Sequence, residues 1–221
     1  FSGFGTAMIY LPIAAHWLPP VWVLVTLVVV DLFGPIPAVP RALRDGHPRD
    51  VLRLGAGALI GMPVGVLLLT WMAPDAFRYA VSLLTMALLV LLVGGVRYRG
   101  RVSNPAIYAT GGLSGFLGGS VGLAGPPVIL LYMARPLSPA VIRANVLLFL
   151  LLTDVLLFVV FAQRGLLEWT PLMLGVLLAP LYLGAVWLGS AIFDPARGSV
   201  YRWVAYVIIA ASALGGLPIW T

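Results

Sequence analysis

Seven acidic side chains occur in the 221 residues, and two of them, Asp31 and Asp154, stand well inside apolar stretches. An ionised carboxylate in hydrocarbon is costly unless it is solvated, paired or protonated, so a matched pair at that depth reads by default as functional. The chemistry open to it is proton coupling or hydrogen bonding to a water-accessible element, and a helix-packing hydrogen bond accounts for it equally well. A second feature is backbone chemistry: seven of the fifteen residues 111–125 are glycine, and Pro126-Pro127 follow. Glycine weakens a helix and proline removes a donor, so a break is expected near 118–125, with a new half-helix starting at the prolines. Exposed N–H groups at such an N-terminus attract anions. Gly122, Ala124 and Gly125 are therefore candidate oxyanion holders, with Ser120 adding a hydroxyl and Gly118, Gly119 and Pro126 shaping the loop. The competing reading is close helix packing through Gly111/Gly115, Gly115/Gly119 and Gly118/Gly122. Packing is favoured at Gly111 and Gly115, and the binding loop from Gly118 to Pro127.

Nucleophilic catalysis has one handle, because Gly112-Leu113-Ser114-Gly115 matches the G-x-S-G pattern of intramembrane serine proteases. A serine of that kind needs a basic partner. The chain has no lysine, and its two histidines, His16 and His47, fall near a run end and in a loop, so no enzymatic reading is adopted. With no cysteine and no clustered acids, neither a metal centre nor another cofactor is expected.

The elements that must position these residues are apolar runs at 1–18, 20–40, 51–72, 77–96, 106–134, 139–162, 169–192 and 200–219. Hydrophobic residues make up 62% of the chain, charged ones 9%, and the mean hydropathy is +1.08, which excludes a soluble domain. Most runs have the roughly 20 residues that a helix needs to cross hydrocarbon. The expected fold class is therefore an all-α polytopic membrane bundle. Trp17, Trp22, Trp71, Trp169 and Trp220 lie near run ends and are assigned to the aromatic belt. The chain opens Phe1-Ser2-Gly3 without a methionine or a charged n-region, so its first apolar element is expected to be truncated.

Five features recur in order: Ser2-Gly3-Phe4 with Ser114-Gly115-Phe116, Asp31 with Asp154, Arg41 with Arg164, Pro63 with Pro180, and Gly94-Gly95 with Gly215-Gly216. Phe77-Arg78 similarly echoes Tyr201-Arg202. They suggest two repeats within one transmembrane domain, residues 1–101 and 102–221, as is common in transporters. All thirteen basic residues are arginine, and they sit mainly between the apolar runs, where they report topology and not a nucleic-acid patch. If all eight runs span, the arginines split eight against five; if 106–134 enters and returns on one side, eleven against two. The second pattern obeys the positive-inside rule. It predicts inverted repeats with six spanning helices and two broken, re-entrant hairpins. Asn145, just inside its helix, is a further solute-contact candidate, and Arg143 beside it suits an interfacial anchor.

The stretch Gly115-Phe-Leu-Gly118-Gly119-Ser-Val-Gly122-Leu-Ala-Gly125-Pro126-Pro127-Val-Ile-Leu-Leu-Tyr132, followed by Pro139 and Arg143-Ala144-Asn145, resembles the TauE/SafE sulfite exporter family. The N-terminal copy is reduced to Ser2-Gly3-Phe4-Gly5 and ends at Pro12, with Gly5 and Thr6 as its binding positions. The resemblance implies a secondary transporter of the bacterial inner membrane. Its passenger would be a small anion such as sulfite or an organosulfonate like sulfoacetate and its surroundings lipid, while the reading of Asp31 and Asp154 makes the proton the candidate coupling ion. A passive anion channel or a non-transporting subunit of a membrane complex is the alternative.

Overall fold

Proline marks where the helices begin. Pro20, Pro48, Pro74 and Pro139 are each the first residue of a helix, and Pro105 and Pro126 the second. Their missing N–H falls where a helix has no internal partner to lose, and their fixed φ suits the first turn. Ser103 and Ser138 add side-chain caps, each accepting an N–H three residues on, from Ala106 and Val141. The computed structural model describes residues 4–94, 103–192 and 198–219. Ten α-helices follow in order: α1 (Phe4–Ala14), α2 (Pro20–Phe33), α3 (Val39–Asp45), α4 (Pro48–Trp71), α5 (Pro74–Val93), α6 (Asn104–Val121), α7 (Gly125–Met133), α8 (Pro139–Gln163), α9 (Trp169–Ile192) and α10 (Gly198–Gly215). Ser2, Gly3, Gly95, the arginines 97, 99, 101 and 197, Trp220 and the boundary between 101 and 102 lie outside the described residues, as does the side chain of Arg202.

Four helices, α4, α5, α8 and α9, are long and apolar enough to cross a membrane, and α2 with α3 makes a fifth if that bent pair is one span. This is a multi-pass membrane protein. Among the described residues the first run is helical over Phe4–Ala14, and the helix of the second ends at Phe33. Pro35, Pro37 and Pro40 cannot feed the hydrogen-bond ladder of α2, so the chain passes through a 3₁₀ turn at Ile36–Ala38 and resumes as α3, bent by 41°. Asp31 consequently lies in the last turn of α2, not at mid-helix.

The break foreseen near 118–125 falls at residues 122–124. Gly122 adopts φ +75°, a left-handed conformation that favours glycine. Its N–H donates to the Gly118 carbonyl at 3.1 Å and that of Leu123 to Leu117 at 3.3 Å, closing α6 before α7 starts. The two helices then double back. Asn104 at the start of α6 accepts from Arg53 at 3.1 Å, while Arg135, just past α7, pairs with Asp50; both partners belong to the first turns of α4.

The longest contact in the molecule is between α4 and α6, which run parallel. Gly57, Gly61 and Gly65 on α4 and Gly111, Gly115 and Gly119 on α6 recur every fourth residue, and each faces backbone of the other helix. A methyl at Gly61 would lie 2.0 Å from the Gly112 carbonyl oxygen, and one at Gly115 would lie 2.5 Å from that of Ala58. Only glycine permits that approach, which gives dispersion contact where lipid supplies no hydrophobic drive. Two buried clusters stack along the bundle. One holds Met8, Leu11, Met62, Val66, Val121, Leu123 and Phe161, the other Leu54, Ala58, Ala124, Val128, Tyr132 and Phe149. The turn between α6 and α7 contributes to both and so sits where they meet.

Candidate functional site

Among the described residues, the candidate positions fall into three groups inside this apolar bundle. The first is the α6–α7 turn. Gly122 packs against Leu11 of α1, where a methyl would come 3.0 Å from the leucine Cδ2. Gly118 faces Ala124 across the turn, and Gly125 and Pro126 are buried, the latter against Leu88, Leu91 and Leu92 of α5. Two of the expected anion donors are committed elsewhere: the Gly122 N–H is in the cap, and the Ser120 hydroxyl donates to the Phe116 carbonyl at 2.7 Å. Gly119 meets the Met62 carbonyl of α4 and belongs to the glycine seam. Pro126 and Pro127 have no N–H, which leaves those of Ala124 and Gly125 as the donors at the start of α7.

The second group sits between α1, α2, α8 and α9 and contains both aspartates. Asp154 lies close enough to Asp31 to feel its charge, and α2 packs against α8. Among the described residues neither has a basic partner. The Asp31 charge also reaches the hydroxyls of Tyr10 and Tyr182, and that of Asp154 reaches Tyr182. Thr6 and Tyr182 share a hydrogen bond at 3.4 Å, and Tyr10, close to Thr26, is left without a hydrogen-bond partner. Thr6, Tyr10 and Tyr182 line a cavity of about 220 Å³ whose other walls are Leu27, Val30, Leu178 and Leu181. Gly5, open on its Cβ side, is one residue from Thr6. Thr6, Asp31 and Asp154 are thus brought together, and the two tyrosines complete the group. In the sequence these tyrosines look like any aromatic in an apolar run.

Asn145 belongs to a third group. Its Oδ1 accepts the His47 N–H at 2.6 Å at the start of α4, and its buried Nδ2 has no partner. Gly119 touches Met62, fifteen residues or about 22 Å of helical rise beyond His47 on α4, so Asn145 and Gly119 lie at different levels of the bundle. Close by, Asp50 bridges Arg53 and Arg135, with the buried Tyr132 hydroxyl within reach of both the Asp50 and Arg135 charges. This is the end of α4 where α6 begins and α7 ends. Ser114 of the protease-like pattern is fully buried with its hydroxyl unpartnered, while the His16 ring is engaged by Arg78 and the Gly215 carbonyl.

Comparison with known proteins now bears on this architecture. No solved structure matches the chain. A curated relative from Cupriavidus necator, described as a probable sulfite/organosulfonate exporter TauE, is 28% identical over 227 residues, covering 98% of this chain and 88% of that protein. The family model for Sulfite exporter TauE/SafE matches residues 1–215, from the short first helix through the doubled-back α6–α7 pair to the end of α10. The chain belongs to the TauE/SafE sulfite exporter family.

Proposed function

We propose that this protein exports sulfite or a small organosulfonate across the bacterial inner membrane, working as a secondary transporter by alternating access. The observation that carries the reading is the α6–α7 turn. Backbone leaves helical geometry deep in an apolar bundle, at residues 122–124, and its two flanking helices return to one end of α4. Irregular backbone at membrane depth is tolerated where it is buried in protein or lines an aqueous path, and the N–H groups of Ala124 and Gly125 suit an oxyanion arriving there. Gly118, Gly122, Gly125 and Pro126 form this turn in the proposal, with Gly5 and Thr6 on the opposing α1. Asp31 and Asp154, which lie close to each other with no basic partner among the described residues, are the groups able to take up and release a proton during the cycle.

The same reading makes the chain an inverted repeat, with α6–α7 as a re-entrant hairpin. Matched contacts support it: α2 packs on α9 as α4 packs on α8, and the equivalent pairs α2 with α8 and α5 with α10 meet each other. Counterflow in proteoliposomes tests the function. Saturable exchange of labelled sulfite or sulfoacetate is expected; unsaturable flux would make the protein a channel. Absence of both flux and anion-dependent thermal stabilisation would leave a non-transporting subunit.

A further inference from the structure

One face of α5 carries Arg78, Ser82 and Thr85, spaced four and three residues apart and so aligned along the helix. Their residues are 7%, 1% and 0% exposed, and Arg78 Nε, Ser82 Oγ and Thr85 Oγ1 have no hydrogen-bond partner. Three other inner hydroxyls bond to backbone, Thr26 to the Trp22 carbonyl at 2.7 Å, Thr153 to that of Leu150 at 2.8 Å and Ser212 to that of Ile9 at 2.7 Å, and the unpartnered Ser114 hydroxyl stands alone on α6 within the glycine seam. A serine or threonine in an apolar helix ordinarily takes such a bond. Ser82 and Thr85 do not.

Their placement gives the stripe a direction. Arg78 lies one turn into α5, at the end remote from the start of α4. Its Nη2 donates to His16 Nδ1 at 2.7 Å, and that ring in turn donates from Nε2 to the Gly215 carbonyl at 2.6 Å. Asp75 is 3.7 Å from Nη1, but its side chain is 76% exposed and solvent-screened, so the Arg78 charge is only weakly neutralised. Ser82 comes next, beside Pro12 and Gly216: a methyl on Gly216 would lie 2.7 Å from Ser82 Oγ and 2.5 Å from the proline Cβ. Leu11, adjacent to Pro12, touches Gly122. Thr85 follows, and Leu88, one turn beyond it, shares a cleft with Pro126 at the start of α7. The polar face therefore descends from one end of the bundle to the α6–α7 turn.

We propose that Arg78, Ser82 and Thr85 form a second oxyanion-binding station, between the outer end of α5 and the turn, which takes the SO₃ head of sulfite or a sulfonate on its release side. Nε–H and the two hydroxyls supply unpartnered donors in succession along the stripe, with one guanidinium supplying the charge. The proposal rests on the exporter reading.

The test is the double variant Ser82→Ala, Thr85→Val, reconstituted and assayed by sulfite counterflow with KM measured from each side. Removing unpartnered buried hydroxyls does not remove a stabilising bond, so Tm should hold. KM on the side of the α5 N-terminus should rise about tenfold, the loss of two hydrogen bonds, with the other side unchanged. An unchanged KM on both sides, or an equal rise on both, overturns the station while leaving the exporter reading intact. If the unmodified protein moves neither sulfite nor sulfoacetate, the exporter reading falls and the station with it. Thermal-shift titration with sulfite on solubilised protein provides the same comparison independently of reconstitution: a weaker apparent affinity of the double variant supports the station, and equal affinity counts against it.

Discussion

Gly111 and Gly112 are neighbours on one helix, and the same substitution should affect them oppositely. A methyl at Gly111 would lie 2.1 Å from the Leu54 carbonyl oxygen and 2.8 Å from its carbonyl carbon and Cα, whereas at Gly112 the nearest atom is the Gly57 oxygen, 3.7 Å away. The obstacle at Gly111 is backbone, which no rotamer change can move. Restoring the ordinary contact of 3.4 Å requires α4 and α6 to separate by about 1.3 Å at that level. The neighbouring contacts at Gly57, Gly61 and Gly115 share the same seam and would loosen together. Overpacking of this kind costs about 1–3 kcal/mol. At about 2–4 °C per kcal/mol for a chain of this size, Gly111→Ala should lower Tm by about 2–12 °C. Gly112→Ala meets no clash and gains helix propensity, so its Tm should equal or exceed that of the parent. Tryptophan-fluorescence melting of both variants in one detergent, with sulfite counterflow alongside, decides the matter. Equal melting of the two, or the greater loss at Gly112, would refute the argument that backbone approach sets the glycine requirement here.

Asp50→Ala removes the carboxylate between Arg53 and Arg135 and frees the end of α7 from α4. The site is partly exposed, so the expected cost is about 1–3 kcal/mol, below that of a fully buried pair, and a Tm equal to the parent's would show that the pair contributes nothing. Asn145→Ala deletes the acceptor for the His47 N–H; hydrogen exchange should quicken at the first turn of α4, and unchanged protection there would contradict the capping role. Asp154→Asn should flatten the pH dependence of counterflow while leaving sulfite affinity in thermal-shift titrations near that of the parent. A variant with normal pH-dependent flux would remove the coupling role from Asp154.

Much of the scaffold was legible because proline and glycine act locally. The break at 122–124 follows from glycine density and two prolines, whatever the rest of the chain does. The shortening of α2 was equally local, since Pro35, Pro37 and Pro40 stand in the sequence, but hydropathy is blind to missing backbone donors and the run looked continuous. The α4 half of the glycine seam, Gly57, Gly61 and Gly65, carries the same four-residue spacing as its α6 partner and was readable in principle. The polar groups were not. Thr6 and Tyr182 are 176 positions apart, Asp50 and Arg135 are 85, and a single sequence carries no sign of which distant side chains meet. The same limit hid the stripe on α5: in the sequence Arg78 stands out only as an echo of Arg202, and its burial with Ser82 and Thr85 sets it apart.

On the proposed repeat, Pro63 of α4 and Pro180 of α9 are equivalent, and the comparison locates the freedom that transport requires. The positions matching Gly57, Gly61 and Gly65 are then Leu174, Leu178 and Tyr182. In α4 the small residues admit the backbone of α6 to within van der Waals contact over about two turns, and interlocked backbone of this kind cannot slide without separating. The α4–α6 pair therefore moves as one body and carries the α6–α7 turn with it. In α9 the larger side chains hold space open: Leu178 and Tyr182 line the cavity that they share with Thr6 and Tyr10, and the Tyr182 hydroxyl reaches α1 through a single 3.4 Å contact. A cavity of about 220 Å³ can change volume through rotamer shifts and small helix displacements, where a glycine seam cannot. If the protein works by the alternating access proposed above, the movement is expected around the cavity of Thr6, Tyr10 and Tyr182 between α1 and α9, beside the two aspartates, with α4 and α6 as the rigid reference.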